Sequence, residues 1–89
     1  MAVEINFFLI DSQGCKFSGN VKNCYIGTPD GEIGILPDHE SYLSLTTEGL
    51  LTVNRGFDET KFFVERGIVF VEKNIVKVVV EEVKDQNTE

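Results

Sequence analysis

The sequence has no tryptophan, one histidine, two prolines and two cysteines, and its eight lysines and arginines face fifteen aspartates and glutamates, for a formal net charge of −7. Each shortage closes off a class of function. With so little positive charge there is no basic footprint for a phosphate backbone, and an anionic membrane surface would repel the chain. Binding to nucleic acid or lipid by bulk electrostatics is therefore excluded. No run approaches ~20 apolar residues, so no segment reads as a membrane-spanning helix. Met1-Ala2-Val3-Glu4 carries no positive region, and the apolar run at 7–10 is too short for the core of a signal peptide. The expectation is a soluble, intracellular protein. Cys15, Cys24 and a single histidine are too few for a zinc site, and in a reducing compartment the two cysteines read as thiols in preference to a disulfide. The glycines never group as a phosphate loop or as Gly-x-Gly-x-x-Gly, and no Gly-x-Ser-x-Gly elbow occurs.

A sustained 3.6-residue period is also missing. What is there is alternation, broken by turn signals every ~8–12 residues, which is the pattern of an all-β sandwich or barrel. Strands are expected at 3–10, 15–18, 21–26, 32–36, 41–46, 50–54, 59–65, 68–72 and 75–83. The second half of the first, Phe7-Phe8-Leu9-Ile10, is apolar on both faces, as expected of a strand packed on two sides. Turns are expected at Asp11-Ser12-Gln13-Gly14, Gly19-Asn20, Thr28-Pro29-Asp30-Gly31, Pro37-Asp38-His39-Glu40, Glu48-Gly49, Arg55-Gly56, Arg66-Gly67 and Lys73-Asn74. At 89 residues the chain is one domain, 1–84, with a polar tail, 85–89, that frays.

One stretch departs from this plain frame. Residues 28–39 hold both prolines and the only histidine. Pro29 presets a turn, Gly34 inside a strand marks a bulge or a close approach by another backbone, and Pro37 stops ladder pairing. The carboxylates Asp30, Glu32, Asp38 and Glu40 gather around this one loop-strand-loop unit. A calcium site would need a ligand spacing that is absent, which leaves a solvated acidic rim or a surface that meets a basic partner. His39, beside Asp38, Glu40 and Ser41, could be imagined in a hydrolytic group, but adjacency in sequence is no argument for one. A loop-tip histidine touching a partner or solvent is the reading preferred. Arg66 reads as a lone cation that pairs locally, and Gly67 as a position needing positive φ or tight packing. The phenylalanines at 7, 8, 17, 57, 62, 63 and 70 read as core, with any on an outer sheet face forming a contact patch. Taken alone, the residues describe an acidic all-β binding module without cofactor or metal, not an enzyme.

Gly31-Glu32-Ile33-Gly34-Ile35-Leu36-Pro37-x-His39 resembles the epsilon subunit of the F-type ATP synthase. The resemblance runs from Ile5 to Val83 through Phe17-Ser18-Gly19-x-Val21, Glu48-Gly49-Leu50-Leu51-Thr52-Val53, Gly67-Ile68-Val69-Phe70-Val71 and Asn74-x-Val76-x-Val78. It implies a flattened antiparallel β-sandwich of about ten short strands. It implies a non-catalytic, cofactor-free rotor subunit of the central stalk, one side packed on the gamma subunit. The end carrying the Asp-Gly-Glu and Pro-x-His loops would meet the membrane rotor ring of c subunits, with Asp30, Gly31, Glu32, Pro37, Asp38, His39 and Glu40 as partner-binding residues. That placement couples proton flow to ATP synthesis from the cytoplasmic face of the bacterial inner membrane, peripherally. Three departures stand out: Asp38 where the family usually has glycine, Glu40-Ser41-Tyr42-Leu43 after the histidine, and Glu65-Arg66-Gly67 at the later hairpin. Most bacterial members continue into an inhibitory pair of C-terminal helices, whereas this sequence stops at Glu89. A complete chain would lack that brake, and a shortened one would have lost it. The alternative reading is a free-standing acidic β-sandwich interaction module.

Overall fold

The structure, a computed structural model, describes residues 4–87. Its strands are β1 (Ile5–Asp11), β2 (Gly14–Val21), β3 (Asn23–Thr28), β4 (Gly31–Ile35), β5 (Tyr42–Thr46), β6 (Gly49–Asn54), β7 (Glu59–Val64), β8 (Gly67–Glu72), β9 (Ile75–Val80) and β10 (Val83–Asn87). They form two five-stranded sheets, β2-β1-β9-β8-β5 and β10-β7-β6-β3-β4. Neighbouring strands pair antiparallel except β1 and β9, which run parallel. The chain returns to β1 only after strands of both sheets have been laid down, so this pair is not made by a hairpin and its direction is free of the hairpin rule.

Period-two alternation sends one set of side chains between the sheets. Ile5, Phe7 and Leu9 of β1, with Val76 and Val78 of β9, share one cluster with Ile26, Ile35, Leu51, Val53 and Phe62 of the second sheet. Full burial of side chains of this size is worth about 1.5–3 kcal/mol each, which is what holds two sheets of short strands together. Phe17 bridges the sheets at the margin, with ring centroids 6.1 Å from Phe7 and 5.4 Å from Phe62. Cys24 lies in this core and Cys15 is exposed on edge strand β2 of the other sheet; both are free thiols. Burial pushes the Cys24 thiol up to about 12.

Several expected turns and boundaries differ. Gly19-Asn20 is not a turn: Gly19 lies opposite Phe7 and Asn20 opposite Asn6, because β1 offers a continuous ladder down to Ile5. The irregularity in β2 falls instead at Lys16, the extra residue between the pairs Cys15–Ile10 and Phe17–Leu9. The expected strand 75–83 breaks at Glu81-Glu82, where the chain leaves one sheet for the other. Glu81 N–H donates to Arg66 O and Glu65 N–H to Glu82 O at this crossing. Positions 85–87, expected in the polar tail, pair instead with β7 as part of β10. Residues 88–89 of that tail, and the first residues of the first expected strand, lie outside the described residues. Lys73-Asn74 is the tight turn expected, with both residues at positive φ (52° and 63°), the conformation of a type I′ hairpin.

The sandwich has two distinct ends. At one, Ser12-Gln13, Pro29-Asp30, Thr47-Glu48, Glu65-Arg66 and Glu81-Glu82 connect the strands. Two cross-sheet bonds draw this end together: Thr47 N–H to Gly27 O and Val83 N–H to Asp11 Oδ2. At the other end are Lys22, residues 36–41, residues 55–58 and Lys73-Asn74.

Candidate functional site

The 28–39 stretch is held by its own side chains and by its neighbours. Thr28 Oγ1 donates to Gly31 O at 2.7 Å and accepts from Asp30 N–H at 3.2 Å, closing the Pro29-Asp30 turn. Gly31 sits at φ 119°, a conformation that a side chain would strain. Gly34 answers a close approach, but by a ring and not by a backbone. It lies opposite Tyr25, and a Cβ there would come within 2.6 Å of Tyr25 Cε2. Tyr25 thus covers the glycine of edge strand β4.

Asp38 adopts the left-handed conformation that glycine takes most readily, at φ 64°. Asn74 holds it there: Asp38 N–H donates to Asn74 Oδ1 at 2.6 Å, and Asn74 Nδ2 donates to Asp38 Oδ1 at 3.1 Å. The β4–β5 loop is thereby tied to the β8–β9 turn. His39 N–H donates to Leu36 O, its Nδ1 donates to Glu40 O at 2.7 Å, and its ring meets Tyr42 edge-on at 5.8 Å. Among the described residues the side chains of Asp38, Glu40 and Ser41 make no hydrogen bond to the His39 ring, so no hydrolytic arrangement forms. Nor, among those residues, do three His, Cys, Asp or Glu side chains come together as a metal site.

The four carboxylates do not form one cluster. Thr28 pairs with Gly31 at one end of β4, and Cys24 with Ile35 at the other. Asp30-Gly31-Glu32 and Pro37-Asp38-His39-Glu40 are therefore separated by the strand, about 13 Å at ~3.3 Å per residue, and face opposite ends of the sandwich. They cannot share one flat surface at a single end. The reason is plain pleated geometry, since a five-residue strand that pairs along its whole length cannot fold back to bring its flanking loops together.

The end carrying Asp30 gathers acids from across the chain. Its connections supply Asp30, Glu48, Glu65, Glu81 and Glu82 against Arg66. Lys84 Nζ bridges Glu48 and Glu65 at 3.1 Å to each, and those bonds raise its pKa. Arg66 makes no ion pair among the described residues, contrary to the local pairing expected of it. It borders a cleft of about 450 Å³ together with Pro29, Leu45, Thr47, Glu48 and Glu65. The opposite end is nearly balanced, with Glu4, Asp38, Glu40 and Asp58 against Lys22, Arg55 and Lys73, and Lys22 pairs with Glu4. There Arg55 forms a two-pronged bond to Asp58 (3.0 and 2.8 Å) and lies between the rings of Phe17 and Phe57.

A further surface escaped the sequence reading except in outline. The outer face of the β2-β1-β9-β8-β5 sheet is apolar. Ile10, Val79, Ile68 and Leu45 form one cross-strand row; Phe8, Lys77, Phe70 and Leu43 form the next. Leu43 and Leu45 are 67% and 63% exposed. The available signal was the doubly apolar run Phe7-Phe8-Leu9-Ile10, which asks for something on both sides of β1. Of the seven phenylalanines, Phe7 and Phe62 are core and Phe17 packs on it; Phe57, Phe63 and Phe70 are exposed and Phe8 is half-buried on this outer face.

A family model described as ATP synthase, Delta/Epsilon chain, beta-sandwich domain matches residues 4–86. The chain belongs to that family. Its relatives include the ATP synthase epsilon chain of Hydrogenovibrio crunogenus, 32% identical over 78 residues, which cover 88% of this chain and 54% of the relative. The epsilon chain of Maricaulis maris is 30% identical over 92 residues, covering all of this chain and 69% of that one. The mitochondrial delta' subunit of Pisum sativum is 37% identical over 74 residues, with 83% and 37% covered. The chain thus spans about half the length of the first of these relatives and little more than a third of the pea protein. In fold it matches a chain of the Euglena gracilis mitochondrial ATP synthase OSCP/F1/c-ring structure, with a TM-score of 0.86 at 21% identity over 91% of this chain and 52% of that one. A chain of the Tetrahymena thermophila mitochondrial ATP synthase central stalk/c-ring structure gives 0.77 at 15% identity, over 93% and 67%. The epsilon chain is a non-catalytic subunit of the synthase. Among the described residues no helix is long and apolar enough to cross a membrane.

Proposed function

We propose that this domain is a rotor part of the F-type ATP synthase central stalk, locking the gamma subunit to the ring of c subunits so that ring rotation becomes torque. The family match over residues 4–86 carries the reading. The geometry suggests how one small domain can hold two partners. Its apolar outer sheet face is the side that packs on gamma, with Pro37, Asp38, His39 and Glu40 at the rim of that contact. Its acidic end, with Asp30, Gly31 and Glu32 at the tip, meets basic loops of the ring, where opposite charge speeds and orients docking. The work is mechanical and needs no cofactor. In a bacterium the position is the cytoplasmic side of the inner membrane, peripheral to it; the relatives include mitochondrial proteins as well.

Co-expression with tagged cognate gamma subunit tests the reading. The expected result is a stable one-to-one complex that captures c-ring when membranes are present. A folded chain that never associates with gamma would overturn it.

A further inference from the structure

On the apolar outer face described above, one residue is out of character. Lys77 lies on β9, the middle strand of five, with Phe8 opposite on β1 and Phe70 opposite on β8. Ile75 and Val79 flank it on its own strand, facing the same way. Its Nζ lies 6.0 Å from the centre of the Phe8 ring. Among the described residues it makes no ion pair. Glu72, on the row nearer the Lys73-Asn74 turn, is the acid on this face and is not joined to it.

We infer that Lys77 selects the partner of this face: the surface that covers it is apolar with a carboxylate near its centre, and a second copy of this chain is rejected. The argument is positional. Any surface broad enough to bury Phe8, Phe70, Ile75 and Val79 must also bury the lysine they surround. An ammonium taken out of water without a counter-charge is costly, so a stable complex must supply one. A second copy stacked centre on centre cannot: a residue on the twofold axis meets itself, so Lys77 would confront Lys77, and the face's own acid, Glu72, lies a row away from that axis. The same charge that keeps the free face from pairing with its own kind becomes, against a carboxylate, a desolvated and orienting ion pair. The inference rests on the proposal that a stalk partner covers this face.

The test uses the full chain with cognate gamma and, separately, alone. Phe70→Asp reads the face itself, and should abolish gamma binding. Lys77→Glu should weaken it about 100-fold, Lys77→Met about tenfold, and Lys77→Arg by less than about threefold. Alone, the native chain should sediment as a monomer and Lys77→Leu as a dimer. If Phe70→Asp blocks binding while Lys77→Glu binds normally, the face is right and the role of Lys77 is wrong. If Phe70→Asp binds gamma normally, the placement of the face falls with it. A native chain that dimerises, and is made monomeric by Phe70→Asp, would also overturn the inference. Circular dichroism on each variant separates lost binding from lost fold.

Discussion

Asp38 occupies a backbone conformation that most side chains avoid, at φ 64°. Asp and Asn tolerate it better than other residues because a short polar side chain can bond nearby. Here the bond goes to Asn74, thirty-six positions away in sequence, so a local substitution is compensated by tertiary structure. Asp38→Gly should leave stability within about 0.5 kcal/mol, because relief of strain offsets the lost bond. Asp38→Val should cost about 1–2 kcal/mol, measured by urea unfolding. The two cysteines differ as sharply. Cys15 is exposed, while Cys24 is buried with its thiol pushed up to about 12. A thiol reagent at pH 8 should label Cys15 alone in the native protein and reach Cys24 only on unfolding, as mass spectrometry would show. These residue identities were legible in the sequence; that Asp38 would find Asn74 was not, because the bond depends on how two distant turns meet.

At the scale of the element, the joint before β10 is held by Asp11. This buried carboxylate accepts Gln13 N–H at 2.8 Å and Val83 N–H at 3.2 Å. Burial acts to raise its pKa, but the two N–H donors and nearby Lys16 outweigh it and hold the carboxyl below its ordinary value. Since the folded value lies below the unfolded one, the stabilisation is present above the unfolded pKa, about 3.9, and is lost as pH falls through the folded value. Asp11→Asn should therefore lower Tm at pH 7 and converge with the native protein in strong acid. Amide exchange of β10 should quicken first. Gly67 shows a different constraint. It was expected to need positive φ or tight packing, and packing is what it shows, since a Cβ would run into the carbonyl of Val79 on β9. Gly67→Ala should cost about 1–3 kcal/mol by chemical unfolding, the range for forcing atoms into a filled space. The strands themselves were readable from alternation and turn residues. The missed boundaries are places where strand pairing overrode the local pattern: β1 keeps Gly19-Asn20 in its ladder, and β7 takes Val83 into the other sheet beyond Glu81-Glu82.

At the scale of the molecule, the split between the two ends changes what the 28–39 stretch can do. Asp30 and Glu32 belong with Glu48, Glu65, Glu81 and Glu82; Asp38 and Glu40 belong with a nearly balanced set of charges. If the acidic end meets the ring, charge reversal should act more strongly at that end than at the other. Asp30→Lys with Glu32→Lys is expected to lower proton-driven ATP synthesis in membrane vesicles severalfold, more steeply at low salt. Asp38→Lys with Glu40→Lys should lower it less, since these two sit at the rim of the gamma contact and not at the ring. Equal loss from both pairs would refute the assignment of a single end to the ring.

Composition and local pattern determined that this is an acidic all-β domain, and the Gly31–His39 motif pointed to its family. Those properties are carried by residue type and by spacings of a few positions, which survive without coordinates. The tertiary structure alone decided which charges share an end and that Asp38 is held by Asn74. It also decided that an apolar face with Lys77 at its centre lies on the outside of one sheet. Each depends on pairing between strands far apart in sequence. Alternation says that a side chain faces one way or the other, but only the order of the strands says which other side chains stand beside it.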